Sequence, residues 1–250
     1  MVSTRGHPND FPEPDLTPSK STPSRRSRSN GKWAHTPSNL TIGWLLVSLP
    51  LVAWDTGYVL LRPHSMPGGF LHWPLWVPYE LYGRVDYIYG WKAFNNRNGF
   101  TGAQGLLNAV ESLMYVYYLY ILYTSGKQVA AQGRGAPKAA IAGFLSEQRR
   151  VEGSKGALAA LVGYSAGLMT FSKTALYWLI EYYSGFDNIG HNSLWNLIFL
   201  WIIPKFCSGA WLVGSGYIIY VTSIEIIQGL TIAAGGSTTT SDDTSLAKFE

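Results

Sequence analysis

Long apolar runs separated by short polar stretches set the pattern of the chain. Four runs stand out. They are TIGWLLVSLPLVAWDTGYVLL at residues 41–61, LLNAVESLMYVYYLYILY at 106–123, ALAALVGYSAGLMTFSKTALYWLIEYY at 157–183 and SLWNLIFLWIIPKFCSGAWLVGSGYIIYV at 193–221, the last extending towards Gly229. Each is near or above the roughly 20 residues that span a hydrocarbon core of about 30 Å. Lipid offers no hydrogen bonds, so each run must satisfy its own backbone as a helix. The pattern predicts an all-α integral membrane protein, a four-transmembrane-helix bundle over residues 41–232, with disordered tails at 1–40 and 233–250. Pro50 and Pro204 lie inside the first and fourth runs, where each removes a backbone donor and predicts a kink. Gly163, Gly167, Gly209, Gly214 and Gly216 are small positions where helices can approach closely.

Composition and charge sharpen this picture. Hydrophobic residues make up 47% of the chain and charged residues 14%, against roughly 25% in soluble domains. Mean hydropathy is only +0.04, because polar ends rich in Pro, Ser, Gly and Thr offset the runs. Those ends bury too little apolar surface to fold. No apolar h-region opens the chain, so no cleavable signal peptide is expected. The single cysteine, Cys207, excludes an internal disulfide. Net charge is +4, but the Lys and Arg flank the runs, which favours membrane topology over nucleic acid. The N-terminal tail and the 124–156 connection are basic and the 184–192 connection has no Lys or Arg, which predicts both termini in the cytoplasm. Residues 62–105 are rich in Trp, Tyr and Pro and are too polar to span, and their aromatics suit the membrane interface.

Ionisable side chains inside the runs are the candidate chemistry: Asp55, Glu111, Lys173, Glu181, Lys205 and Glu225. A charge near mid-bilayer costs roughly 2.5–3.5 kcal/mol on insertion scales, so such groups face the bundle interior and pair. Asn108, Glu111, Tyr115 and Tyr118 share one helical face. Thr170, Lys173, Tyr177 and Glu181 share another, and so do Trp201, Lys205, Ser208, Leu212 and Ser215. Inward-facing stripes of this kind would enclose an amphipathic cavity. Plainer readings stand beside this one. Glu181 and Glu225 lie near helix ends, as interfacial charges do. Lys173 can snorkel to an interface or pair with Glu181 or Asp55. Lys205 follows Pro204 and can bond carbonyls freed by the kink. Asp55 and Glu111 read as functional by their depth. No GxGxxG after a strand, Cys cluster or HExxH is present, so neither metal nor cofactor is expected.

LVAWDTGYVLL, YGRVDYIYG, NAVESLM, ALYWLIEYYSGF and GHNSLWNLIFLWIIPKFCSGAWLV, in this order and spacing, resemble the emopamil-binding protein family, also called the EXPERA domain. The resemblance covers about residues 41–229 and is closest to divergent fungal members, some encoded among secondary-metabolite genes. It implies a four-helix protein of the endoplasmic reticulum membrane whose cavity holds a flat, mostly apolar molecule. In the family's isomerases an acid protonates a ring double bond and a base removes a neighbouring proton. Glu111 matches the family's second-helix Glu, Asp55 its first-helix Glu and Trp211 its fourth-helix Trp. Leu51 stands where the isomerases have His, Ser208 where they have Asn, and Met114 replaces a hydroxyl. The resemblance therefore implies altered chemistry in a retained cavity.

The expectation is a cofactor-free acid–base isomerase or cyclase acting on a hydrophobic polycyclic small molecule, sterol-like, terpenoid or polyketide. Glu111 would give or take the proton with Asp55 as its partner. Trp211, Ser208, Tyr115, Tyr118 and Tyr177 would line the cavity, and Lys173 and Lys205 would hold a carboxylate or enolate. The alternative is a non-catalytic lipid- or sterol-binding or trafficking protein of the same fold. The partners implied are the substrate and membrane lipid, with a homodimer left open and no role for nucleic acid.

Overall fold

A computed structural model describes residues 33–130 and 147–235, with backbone alone at 130, 147 and 200–208. Most of these residues are helical. The order is β1 (Ala34–His35), α1 (Asn39–Leu60), α2 (Pro78–Val85), α3 (Trp91–Asn95), α4 (Phe100–Ser125), β2 (Lys127–Ala130), β3 (Glu147–Glu152), α5 (Gly153–Tyr183), the short α6 (Leu194–Asn196), a π-helical turn (Leu197–Ile202) and α7 (Ile203–Ala233). Three helical stretches are long and apolar enough to cross a membrane: Asn39–Leu60, Phe100–Ser125 and Gly209–Ala233. The third apolar run forms the 31-residue α5.

Helix α1 packs on α4, α4 on α5 and α5 on α7, while α1 and α7 meet only narrowly. That narrow meeting is built on Gly214, where a Cβ would lie 2.6 Å from the Trp44 indole. Trp44 in turn stands edge-on to Trp211 at 5.2 Å. Gly163 similarly admits the Tyr118 ring, whereas a Cβ at Gly209 would meet nothing within 4 Å. Helix α1 continues through Pro50. At Pro204 the chain leaves a π-helical turn and resumes as α-helix, which accommodates a residue that cannot donate to the regular ladder.

Two parts differ from the sequence expectation. One end of the bundle carries a sheet of order β1–β3–β2, antiparallel throughout, where the sequence reading had a tail and a loop. Arg149 on β3 donates to the carbonyls of Leu122 and Tyr123 at 3.3 and 3.2 Å, so the strand caps the C-terminus of α4. Residues 33–38 belong to this end. Trp33 donates its indole N–H to the Glu225 carbonyl at 2.7 Å, and the His35 ring bonds both the Glu225 carboxylate and Tyr118. Ser38 then caps α1 by accepting from Thr41 N at 3.1 Å. The boundary at residue 40 is therefore corrected: the ordered chain starts by Trp33, because a buried His and an N-cap tie it down. The disorder expected of residues 1–32 and 236–250 lies outside the described residues.

The second difference is at the opposite end. The 62–99 segment is a folded cap rather than an interfacial loop. Tyr58 of α1 stacks on Tyr79 of α2 at 3.8 Å and donates to the Tyr89 carbonyl at 2.9 Å. Trp76 donates to the Trp54 carbonyl at 3.1 Å and Trp54 to the Leu75 carbonyl at 2.9 Å, which pins the cap to α1. The 184–192 turn joins it: Asn192 donates to the Val85 carbonyl at 2.7 Å, and His191 stacks on Tyr87 at 3.8 Å. A Cβ at Gly90 would lie 2.4 Å from the Gly83 carbonyl oxygen, so the cap's close turn needs glycine there.

Candidate functional site: a cavity beneath the cap

A cavity of about 470 Å³ lies under the cap, among α1, α2, α4, α5 and α7. Helical spacing explains who reaches it. Leu51 and Asp55 are one turn apart on α1, and Gln104 and Asn108 on α4. Lys173 and Tyr177 repeat the spacing on α5, with Thr174 and Trp178 beside them. Tyr79 and Tyr82 of α2 form the roof with Tyr89, and Trp211 of α7 borders the cavity from the fourth helix. Leu51, Trp54 and Leu81 line the cavity yet remain 47%, 37% and 54% exposed, so its mouth lies between α1 and α2.

The two carboxylates expected to work together have different partners. The Asp55 carboxylate accepts the Tyr79 hydroxyl at 2.6 Å and lines the cavity. Glu111 is buried, does not line the cavity, and pairs with Lys173 Nζ at 2.6 Å. Lys173 also donates to the Asn108 side-chain oxygen. The pairing of Asp55 with Glu111 is therefore corrected: a lysine on the facing helix occupies the space in front of Glu111. The pairing suggested for Lys173 with Glu181 or Asp55 gives way to the same contact.

The remaining sequence candidates divide. Lys173, Tyr177 and Trp211 line the cavity. Tyr115 and Tyr118 do not: Tyr115 bonds Thr170 at 3.0 Å, and Tyr118 bonds His35 at 2.9 Å. The Tyr115 phenol is thus consumed in the α4–α5 interface, and the Tyr118 phenol by β1. The side chains of Lys205 and Ser208 lie outside the described residues. Glu181 and Glu225 are not free interfacial charges. Glu181 is buried and accepts from Asn188 at 2.6 Å, and Glu225 holds His35.

Sequence reasoning missed the cap's contribution. Tyr82 and Tyr89 join Tyr79 in the roof, and Asp86, fully buried, accepts the Tyr177 hydroxyl. Burial, and after it the Asp55 charge, pushes the Tyr79 and Tyr89 phenols far above the ordinary tyrosine range. Burial and the Asp86 charge do the same for Tyr82. These phenols are neutral hydrogen-bond donors at any physiological pH. The spacing of Tyr79 and Tyr82 at i, i+3 within PYELYGRV, opened by Pro78, was the signal that could have shown a short helix with one aromatic face.

The site therefore offers aromatic and aliphatic walls, one carboxylate fixed by a phenol and one ammonium fixed by a carboxylate. That set can hold an apolar guest and move a proton on it. No group of three or more His, Cys, Asp or Glu side chains that could hold a metal comes together among the described residues. Comparison with family models, curated proteins and solved structures finds no match to the chain.

Proposed function

We propose that this protein is a membrane-embedded, cofactor-free acid–base isomerase or cyclase of the emopamil-binding protein kind, acting on a hydrophobic polycyclic small molecule. In this reading α5 is the fourth span. Its buried Lys173 pairs with Glu111 and its buried Glu181 accepts from Asn188, so both have polar partners inside the bundle rather than facing lipid. The sheet end, with Lys127, Arg149 and Arg150, lies at the cytoplasmic face of the endoplasmic reticulum membrane.

The observation that carries the proposal is an Asp and a Lys on the wall of a cavity otherwise lined, among the described residues, by aromatic, aliphatic and uncharged polar side chains. Its volume of about 470 Å³ falls within the roughly 300–1,000 Å³ of small-molecule sites. Leu51, exposed at the mouth, lies near the middle of the 22-residue α1, so a guest enters from the hydrocarbon. Asp55 moves the proton, oriented by Tyr79. Tyr177 and Trp211 shape the cavity, and Glu111 acts through Lys173.

The test is turnover in microsomes supplied with polycyclic sterol-like, terpenoid and polyketide candidates. Asp55→Asn should lower turnover by about 10²–10⁴-fold, the usual range for removing a general base, while binding persists. One observation favours a second reading, a lipid-binding or trafficking protein: Leu51 borders the cavity where the family's isomerases carry His. Binding without turnover by the unaltered protein, and unchanged by Asp55→Asn, would establish that reading.

A further inference from the structure

Among the described residues, two charged groups of opposite sign stand on the cavity wall, and their placement selects the charge that a reacting guest can carry. Lys173 lines the cavity although its side chain is only 9% exposed, whereas Glu111 lies behind it. An ammonium has three N–H donors. One faces Glu111 and a second faces Asn108, both on α4. The third is left for the cavity. The ion pair thus presents its positive end to the guest and keeps its negative end in the helix interface. Thr174, Tyr177 and Trp178 of the same helix line the cavity with Lys173. In a wall of low dielectric, an oxyanion beside the ammonium is stabilised and a carbocation is repelled.

Asp55 completes the assignment. Its carboxylate faces the same cavity from α1 and is held by the Tyr79 hydroxyl at 2.6 Å. When a carboxylate takes a proton from a carbon acid it becomes neutral, and the guest becomes the anion. The geometry points to a substrate bearing a ketone next to a double bond: a polycyclic β,γ-unsaturated ketone brought into conjugation through a dienolate, with Lys173 on the oxygen and Asp55 carrying the proton. The inference rests on the cavity being catalytic and specifies what it acts on. Asp55 takes the proton from the α-carbon. The C–H electron pair becomes a carbon–carbon double bond, and the carbonyl π pair moves onto the oxygen that faces Lys173. Asp55 then returns the proton to the γ-carbon, and the oxygen's electron pair restores the carbonyl. Atoms and electrons balance with no co-reactant.

The test uses the full chain in lipid nanodiscs and three fluorescent probes of one polycyclic skeleton: a naphthol, its methyl ether and a protonated amine. The naphtholate mimics the dienolate. The naphthol should bind as naphtholate, seen by its absorption spectrum, at least about tenfold more tightly than the ether, the usual worth of a charge-assisted hydrogen bond. Lys173→Met should abolish that preference and leave ether affinity within about twofold, and Lys173→Arg should keep most of it. The comparison in the unaltered protein needs no variant, so poor folding of Lys173→Met would leave the result standing. Tighter binding of the amine, or naphthol bound only in its neutral form, overturns the inference. In parallel, a steroid β,γ-unsaturated ketone is followed by the absorbance of the conjugated product, which Asp55→Asn should suppress. Naphtholate binding without that turnover would keep the anion site and remove the catalytic reading. Turnover of an isolated olefin without naphtholate preference would keep the enzyme and remove this inference.

Discussion

At the residue scale, the buried pair of Lys173 and Glu111 bears on stability and on the charge of the cavity wall. The two side chains are 9% and 3% exposed. Removing one partner of such a pair leaves an uncompensated buried charge and costs about 3–5 kcal/mol, whereas replacing both by apolar groups is often nearly neutral. Lys173→Met should therefore destabilise strongly, and adding Glu111→Leu should recover most of the loss. Thermal unfolding in detergent across the double-mutant cycle measures this, and a double variant no more stable than the single would refute the coupling. The sequence made the inward faces of both helices legible, because Asn108, Glu111, Lys173 and Tyr177 follow the helical period. It could not give the partners. Periodicity fixes a face but not the rotation or height of one helix against the next, so Glu111 was matched with Asp55 rather than Lys173. Likewise Tyr115 was read as a cavity residue because nothing in its own helix shows Thr170 opposite.

At the element scale, the four long helices were legible because length and hydropathy act locally. The structured ends were not. The three-stranded sheet joins residues far apart in sequence, and its short strands, rich in Lys, Arg, Glu and Gln, carry no apolar alternation. The cap depends on stacking among Tyr58, Tyr79, Tyr82 and Tyr89, which composition alone cannot separate from an interfacial belt. That stacking has a pH signature. Unfolded phenols ionise near 10.0, while burial and the Asp55 and Asp86 charges hold Tyr79, Tyr82 and Tyr89 protonated to higher pH. Below pH 10 both states keep these protons and the phenols add no slope. Above it the unfolded chain sheds protons that the folded chain retains, so stability falls as pH rises. Melting temperatures at about pH 9 and pH 11 should differ accordingly, with tyrosinate absorbance appearing only as the cap unfolds. Replacing Tyr82 and Tyr89 by Phe should flatten the slope. Tyrosinate signal from these residues in the still-folded protein would contradict the burial argument.

At the scale of the whole molecule, the two ends of the bundle are chemically unlike. One end carries Lys127, Arg149 and Arg150 on the sheet, with His35 buried beneath. The other carries the aromatic cap, where Arg84 pairs with Glu80 at 2.6 Å and Lys92 with Asp187 at 2.9 Å. Arg62 of the cap donates instead to Thr101, and on the sheet Arg150 faces Glu152 at 3.4 Å. The proposed orientation, which rests on the basic N-terminal and 124–156 segments, keeps the sheet end in the cytoplasm. The cavity then lies in the half of the bundle next to the cap, with its mouth towards the lumenal half of the bilayer. Cysteines placed at Gln128 on β2 and at Phe70 in the cap, both exposed, read this directly in sealed microsomes. After Cys207→Ser, a membrane-impermeant maleimide should label Gln128→Cys at once and Phe70→Cys only when the vesicles are opened. The reverse pattern would invert the protein and place the cavity in the cytoplasmic half, and labelling of both positions in sealed vesicles would show that the two ends share one side. Only α4 lies between Phe70 and Gln128 among the long helices, so that outcome would mean that α4 does not cross the membrane.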